Sequence, residues 1–440
     1  MALDWLTRLD PLRRIRCPFC FDSFAACEMH LRCDDHYCKT DFGRMIDDPI
    51  LTKALNGPRF SQDAGGSALR SPWWVAPRQD ARRGIRRHLD WMVLPDHLTC
   101  PNCQKPTDVR LCPRCHARLP DSVVTLEAGH IAIFGPQSVG KTTYVTVLIH
   151  ELENRVGPAR GFTLDPLTDE IRERYEREYH EMTYGGGGQL GVGEDNDGQS
   201  YRRSHFATPS IETNRSILQP LVYRVTSRKG AKGKTAGTLL SFFDTAGEDW
   251  EMNIDLLRGE ARYLGQAKGL LFLVDPLRIR EVALDRRLKL TEKEVRVPPA
   301  DYLNDARKLA TFFGRSPVKA PLAICLNKLD RWGKLMEPGT VLNTLATSIS
   351  DEAPDARMDA LVNEEVQSAL RKWGATGFLD YINIHFPNHR FFACSALGDA
   401  AQEADDAPQP LPTPLLVERP VLWLLERQKI IDRESGPSDG

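Results

Sequence analysis

Two residue patterns in this 440-residue chain are spaced for chemistry: one glycine-rich loop ending in lysine and threonine, and four pairs of cysteines. The loop is Gly135-Pro-Gln-Ser-Val-Gly140-Lys141-Thr142, with the spacing G-x-x-x-x-G-K-T. It lies between the apolar run His130 to Phe134 and the run Thr143 to Ile149. That order predicts strand, loop, helix, in which glycines let successive backbone N–H groups turn inward on a phosphate chain at a helix N-terminus. Gln137, Ser138, Val139, Gly140, Lys141, Thr142 and Thr143 are then the phosphate contacts. Lys141 reaches the outer phosphates. The Thr142 hydroxyl is suited to Mg²⁺, whose small octahedral shell takes phosphates plus one or two protein oxygens.

Three later stretches bear on which nucleotide. Leu239 to Phe243 is an apolar strand ending in Asp244-Thr-Ala-Gly247-Glu248, a D-x-x-G element. Asp244 would hold Mg²⁺ from its second side, and Gly247, with nothing on its Cα, lets a backbone N–H approach a γ-phosphate. A second strand, Pro321 to Leu326, delivers Asn327-Lys328-Leu329-Asp330. An aspartate there accepts from both N1–H and the 2-amino group of guanine, a donor pair that adenine lacks. Two charge-assisted bonds at about 1.5–3 kcal/mol each favour guanine by roughly 10²- to 10⁴-fold. A third strand, Arg390 to Cys394, runs into Ser395-Ala396-Leu397. All four elements fall at strand C-termini, where open parallel α/β sheets build nucleotide crevices.

The cysteines come as Cys17-x₂-Cys20, Cys33-x₄-Cys38, Cys100-x₂-Cys103 and Cys112-x₂-Cys115. Such hairpins wrap four thiolates tetrahedrally around Zn²⁺. Chain order predicts two sites, one of Cys17, Cys20, Cys33 and Cys38 and one of Cys100, Cys103, Cys112 and Cys115. In the first, His36 and Cys27 are alternative ligands. Disulfides are the competing reading, disfavoured in a reducing cytosol. Cys325 and Cys394 sit in apolar strands and read as core.

The set G-x-x-x-x-G-K-T, D-T-A-G, N-K-x-D and S-A-L resembles the Ras-like branch of the translation-factor-related GTPases. The resemblance implies a GTPase domain with a mostly parallel sheet flanked by helices, in which Asn327 and Asp330 read guanine. It also implies that Lys328 packs on the base, that Ser395, Ala396 and Leu397 border it, and that the Ala396 N–H meets the base oxygen. A first-switch threonine should join Thr142 and Asp244 on Mg²⁺. Thr208 and Thr213 are the candidates, and Thr213 is chosen because it precedes the strand Ile217 to Thr226. Glu248 stands where many relatives carry glutamine to orient water; a carboxylate only accepts, so slow intrinsic hydrolysis is expected. Two Cys₄ ribbons ahead of this loop and D-T-A-G-E-D resemble, more narrowly, the bacterial double-GTPase families. Those are proposed to act in signalling or defence systems beside a partner GTPase, which implies a protein partner.

The elements that must position these residues divide the chain, on this reading, into a zinc ribbon over 1–60, a linker over 61–95, a second ribbon over 96–125, the α/β GTPase domain over 126–433, and a disordered tail over 434–440. Helices are expected at Thr142 to Asn154, Asp165 to Met182, Asp301 to Phe313, Asp351 to Trp373 and Pro420 to Arg433. The glycine-rich stretch after Tyr184 should carry no packed structure. The segment Arg278 to Val297 is longer than the fold needs, and its charges suggest no chemistry. The linker holds Trp73, Trp74, Arg82, Arg83, Arg86 and Arg87, which either close the zinc modules and face solvent, respectively, or stack on single-stranded nucleic acid. The first is favoured, because up to residue 125 the 19 Lys+Arg exceed the 15 Asp+Glu by only what two Zn(Cys)₄ centres would cancel.

At 41% hydrophobic and 27% charged, with net charge −2, the chain has no global pull toward nucleic acid or anionic membrane. No run approaches 18 apolar residues and no lipidation cysteine closes the chain, so a cytoplasmic address is expected. The expected function is a Mg²⁺-dependent GTP switch hydrolysing GTP to GDP, with Lys141, Glu248 and Thr213 in catalytic roles and the ribbons docking a partner. The alternative is a GTP-binding scaffold without turnover, or a ribbon-based nucleic-acid binder.

Overall fold

The computed structural model describes residues 14–56, 69–76, 97–120, 122–123, 126–136, 138–184, 221–229, 234–244, 265, 267–288, 290, 294–295, 297–314, 316–347, 355–398 and 411–432. Two compact units emerge, one of Met1–Ala128 with Arg202–Val222 and the other of Gly129–Tyr201 with Tyr223–Gly440.

The first unit is made of short pieces: β1 Arg14–Arg16, β2 Ser23–Ala25, β3 His30–Arg32, β4 Ile46–Asp47, β5 Arg70–Ser71, β6 Trp74–Val75, β7 Leu98–Thr99, β8 Pro106–Thr107 and β9 Val109–Leu111. Strands of two or three residues bury too little to hold themselves. Three near-identical turns organise them. In each C-x₂-C unit the residue after the second cysteine takes a left-handed conformation: Phe21 (φ 64°), Gln104 (φ 57°) and His116 (φ 56°). Its N–H donates to the carbonyl of the first cysteine, at 3.1, 2.8 and 2.9 Å respectively. The N–H of that first cysteine in turn bonds the carbonyl of Asp22, Lys105 or Ala117. Both thiols of a pair are thereby brought to one side of a tight knuckle.

The chain-order grouping of the two ribbons requires correction. β3 pairs antiparallel with β9, His30 opposite Leu111, and with β6, Leu31 opposite Val75. One three-stranded sheet, in the order β6-β3-β9, thus draws strands from both expected ribbons. β3 runs directly into Cys33 and β9 directly into Cys112.

The second unit is a seven-stranded sheet of mixed direction, mostly parallel. Its strands are β10 Glu127–Phe134, β11 Phe162–Pro166, β12 Leu221–Lys229, β13 Lys234–Asp244, β14 Gly269–Val274, β15 Leu322–Leu326 and β16 His389–Ala393, in the spatial order β11-β12-β13-β10-β14-β15-β16. β10, β14, β15 and β16 run parallel, while β11 and β12 are antiparallel. Every residue of β14 and β15 is buried, the pattern of strands covered by helices on both faces. The helices Lys141–Glu151, Tyr302–Phe313, Ala356–Lys372, Thr376–His385 and Arg419–Arg427 supply the cover. Phe134, Phe272, Tyr302, Phe378 and Phe391 form a chain of ring contacts through the core.

Two expected boundaries move. The helix expected from Asp165 begins only at Asp169, capped by Thr168, because Phe162–Pro166 instead forms the edge strand β11. Its alternating burial, with Phe162 and Leu164 inward, follows the sheet. The last helix spans Arg419–Arg427, shorter than expected, with Val421, Leu422, Leu424 and Leu425 buried as foreseen.

Chain order in the sheet reverses at β10. From β10 the chain crosses to the far edge, returns through β12 and β13 to one side of it, and then passes to β14 on the other. Ligand crevices form at such reversal points, outside the strand C-termini. The glycine-rich loop follows β10 at that point.

Candidate functional site

The loop's geometry follows from its small residues. Gly135 is packed so closely on β14 that a Cβ would lie 2.5 Å from the Leu273 carbonyl oxygen. Ser138 and Gly140 are left-handed, at φ 64° and 83°. A Cβ on Gly140 would come within 2.9 Å of Asn327 Nδ2. No side chain caps the helix that opens at Lys141, and a helix N-terminus carries a partial positive charge that favours an anion. Lys141 is buried, its Nζ donating to the Gly135 and Pro136 carbonyls at 2.8 Å each. The ammonium therefore stands inside the curl of its own loop. Val139 is fully buried. Thr142 and Thr143 are half-buried on the first turn, with the Thr142 carbonyl accepting from Thr146 Oγ1 at 2.9 Å.

The second cluster forms where β15 and β16 end. Asn327 Nδ2 donates to the Val139 carbonyl at 3.0 Å, so the Asn327–Asp330 stretch and the glycine-rich loop are tied by one side chain. The Asn327 carbonyl accepts from Trp332 Nε1 at 2.8 Å, and its Oδ1 accepts from the Lys328 N–H at 2.9 Å. Lys328 is left-handed at φ 62°, a conformation most side chains avoid. Its ammonium meets Asp275 Oδ2 at 2.7 Å. Asp330 is buried: Ser395 Oγ donates to its Oδ1, and among the described residues its Oδ2 has no hydrogen-bond partner. Burial raises the Asp330 carboxyl above the ordinary range, opposed by the Ser395 hydrogen bond and by Arg331. An unmet buried carboxylate oxygen is costly, and a base edge carrying two donors would satisfy it. Ser395 bridges to Leu415, and its hydroxyl accepts from the Gly398 N–H at 3.0 Å, which orders Ser395, Ala396 and Leu397 beside Asp330.

The structure thus brings together Ser138, Val139, Gly140, Lys141, Asn327, Lys328, Asp330 and Ser395. Asp244 ends β13, with only its backbone described. Gln137, Thr208, Thr213, Gly247, Glu248 and the stretch Arg82 to Arg87 lie outside the described residues.

The eight paired cysteines do come together, but in a different grouping from the expected one. One group is Cys17, Cys20, Cys112 and Cys115; the other is Cys33, Cys38, Cys100 and Cys103. The first pair in the chain joins the fourth and the second joins the third, a nested arrangement. Neither His36 nor Cys27 belongs to a group. The thiols are free, not disulfides. Across the groups the Sγ separations are 3.8 Å for Cys17–Cys115, 3.7 Å for Cys20–Cys112, 3.6 Å for Cys33–Cys103 and 4.0 Å for Cys38–Cys100. A Zn–S bond near 2.3 Å makes the edge of an ideal ZnS₄ tetrahedron roughly 3.8 Å, so both groups fit two zinc ions in size and donor type. Crowding splits the acidities: burial pushes the Cys17 thiol up, while hydrogen bonds from Cys115, Cys17 and Cys20 pull Cys112 far down.

Two features support the metal groups that spacing did not reveal. Trp73 packs against Cys33, Cys38 and Cys100, and Trp74 stacks on His30 at 4.9 Å, as expected for tryptophans closing the modules. A buried chain then runs from Ser71 Oγ to Asp48 Oδ2 (2.9 Å), from Asp48 Oδ2 to His116 Nδ1 (2.6 Å) and from His116 Nε2 to His30 Nδ1 (2.8 Å). Burial beside His116 lowers His30 to about 4, so His30 is neutral at physiological pH. This network pins the knuckle at Cys115 to β3 and β5. Its members are 68 and 86 residues apart, a separation at which sequence carries no pairing signal.

No family model matches the chain. A protein of Mycolicibacterium smegmatis described as an ESX-1 scaffolding and assembly protein, SaeC, is 27% identical over 274 residues, 60% of this chain. The match spans 64% of that relative's length. Among solved structures, a nucleolar GTP-binding protein 1 from Plasmodium falciparum aligns over 69% of this chain and 89% of its own, at 14% identity and a TM-score of 0.26. Among the described residues no helix is long and apolar enough to cross a membrane.

Proposed function

We propose that the chain binds GTP and GDP with Mg²⁺ and acts as a guanine-nucleotide switch on a protein partner, with two zinc ions organising the first unit as the docking platform. The observation that carries this reading is the buried, unpartnered Asp330 Oδ2, linked through Asn327 to a phosphate loop whose helix start is uncapped. Asp330 accepts from the guanine edge, Lys141 and the first-turn N–H groups hold the phosphates, and Thr142 with Asp244 and Thr213 coordinates Mg²⁺. Hydrolysis assigns Gly247 to the γ-phosphate and Glu248 to the attacking water. The relationship to the bacterial double-GTPase families, and a cytoplasmic site of action, belong to the same proposal.

Base choice tests it. The native protein should bind GDP over ADP by roughly 10²- to 10⁴-fold. Asp330→Asn should weaken GDP and admit xanthosine diphosphate, because the amide donates where N1–H and the amine were received. Equal affinity of the native protein for ADP sinks the reading.

The likeness to a scaffolding and assembly protein favours a second reading, in which nucleotide stabilises an assembly platform and is not turned over. Single-turnover hydrolysis separates the two. If Glu248 limits a native GTPase by repulsion and lost donation, Glu248→Gln should raise the rate about tenfold, which is about 1.4 kcal/mol of barrier. A tenfold fall would make Glu248 the group that positions water, and no turnover in either protein supports the platform.

A further inference from the structure

The segment between β14 and the helix Tyr302–Phe313, whose charges suggested no chemistry in the sequence, reaches the base motif. Glu294 Oε1 lies 3.2 Å from Arg331 Nη1 and 3.9 Å from Lys328 Nζ, and its Oε2 lies 3.4 Å from Arg331 Nη2. Lys328 and Arg331 flank Asp330 in the chain. From the other side Asp275, at the end of β14, holds the Lys328 ammonium at 2.7 Å. Asp275 is itself fixed. Its Oδ1 accepts from the Leu277 N–H at 3.0 Å, its carbonyl accepts from Tyr302 Oη at 2.8 Å, and its N–H donates to the same hydroxyl at 3.0 Å. Its side chain is only 3% exposed, against 28% for Lys328, 20% for Glu294 and 15% for Arg331. Ion pairs this sheltered are screened less than surface pairs.

The backbone explains why such anchoring is useful. Lys328 is left-handed and leads into the one-turn helix Leu329–Trp332, which carries Asp330. A lysine in that conformation is strained, and a one-turn helix has almost no stability of its own. The aim of the Asp330 carboxylate therefore depends on contacts made by its neighbours.

We propose that Asp275 and Glu294 are positioning residues for base recognition: by pinning Lys328 and Arg331 on either side of Asp330, they aim its unpartnered oxygen at the purine edge. This rests on the proposed guanine-nucleotide reading. Neither residue touches the base in this account; both act through the loop 327–331. The ligand chemistry affected is the purine 2-amino group, the donor that distinguishes guanine from hypoxanthine.

The test compares Kd values of the full chain for GDP and for inosine diphosphate, which lacks that amine, by calorimetry with Mg²⁺. The native protein should prefer GDP about 10- to 100-fold, the worth of one charge-assisted bond. Asp275→Asn keeps an acceptor for the Leu277 N–H but loses the ion pair, and should cut the GDP-to-IDP preference about tenfold. Glu294→Gln, on a half-buried side chain whose loss is tolerable to the fold, should cut it roughly threefold. In an Asp330→Asn background, Glu294→Gln should leave the ratio unchanged. If both single variants weaken GDP and IDP by the same factor, or change neither, the positioning role is overturned. If the native protein does not prefer GDP over ADP, it is the underlying nucleotide reading that fails.

Discussion

The two units reach order by opposite means. In the first, strands of two or three residues hang from three cysteine knuckles, and the most deeply buried side chains include Cys17, Cys38, Cys100 and Cys112. The residues that would bind metal are also its core. In the second, β14 and β15 are wholly apolar and buried, and the candidate site residues, themselves largely buried, sit at the strand ends beyond these apolar runs. Fold and site coincide in one unit and are separable in the other. The same kind of point change should therefore have different consequences in the two.

The largest effect is expected from metal removal. A strong chelator should extract two Zn²⁺ and unfold the first unit, since metal binding in small Cys₄ sites contributes about 10–16 kcal/mol of folding free energy. The nested grouping sharpens this: Cys112→Ser should expose Cys17, Cys20 and Cys115 to alkylation first, with Cys33 and Cys38 protected longer. Mass-spectrometric mapping in which Cys100 and Cys103 react first, while Cys17 and Cys20 stay protected, would restore the chain-order grouping.

In the second unit the corresponding blow must fall on apolar packing. Phe272 is fully buried, stacked on Phe134 with ring centroids 5.0 Å apart. Phe272→Ala should cost about 3–5 kcal/mol in denaturant unfolding. Lys141→Ala, by contrast, should abolish GDP binding while costing the apo protein less stability than Phe272→Ala, about 1–3 kcal/mol for the loop carbonyls it leaves unmet. A large loss of apo stability in that variant would erase the distinction between core and site.

The smallest expected effect concerns pH. Burial raises the Asp330 carboxyl, so the native state holds that proton more tightly than the unfolded chain. Its contribution to stability is present at low pH and declines as pH rises through the native pKa. Guanine binding has the opposite sign, because it uses the carboxylate. GDP affinity should start to fall on acidification at a pH above the ordinary aspartate value of about 3.9. A titration that shows no loss until below that value removes Asp330 from the contact.

Much of the site was legible because its signals are local. A phosphate loop needs glycines at fixed offsets between a strand and a helix, and each C-x₂-C knuckle is closed by hydrogen bonds within six residues. The strands that lead into Asn327 and Ser395 were legible as continuous apolar runs. The edge strand Phe162–Pro166 was not, because the helical charge pattern that begins at Asp169 overshadows five residues whose conformation is decided by pairing with β12. The Asp48–His116–His30 chain left no trace in spacing, and neither did the reach of Glu294 to Arg331.

What the sequence determined by itself was the cast: which residues are candidates for the proposed phosphate, base and metal chemistry, and that the proposed phosphate and base residues stand at strand ends. Tertiary structure decided the company they keep. A knuckle fixes two thiols through its own turn, but which knuckles share an ion is set by β3 lying against β9, a contact between residues some eighty positions apart. In the same way, the proposal that Asp330 reads a purine edge comes from its motif alone. The ion pairs that hold its neighbours come from the end of β14 and the segment that follows it, and only the packed sheet brings those charges within reach.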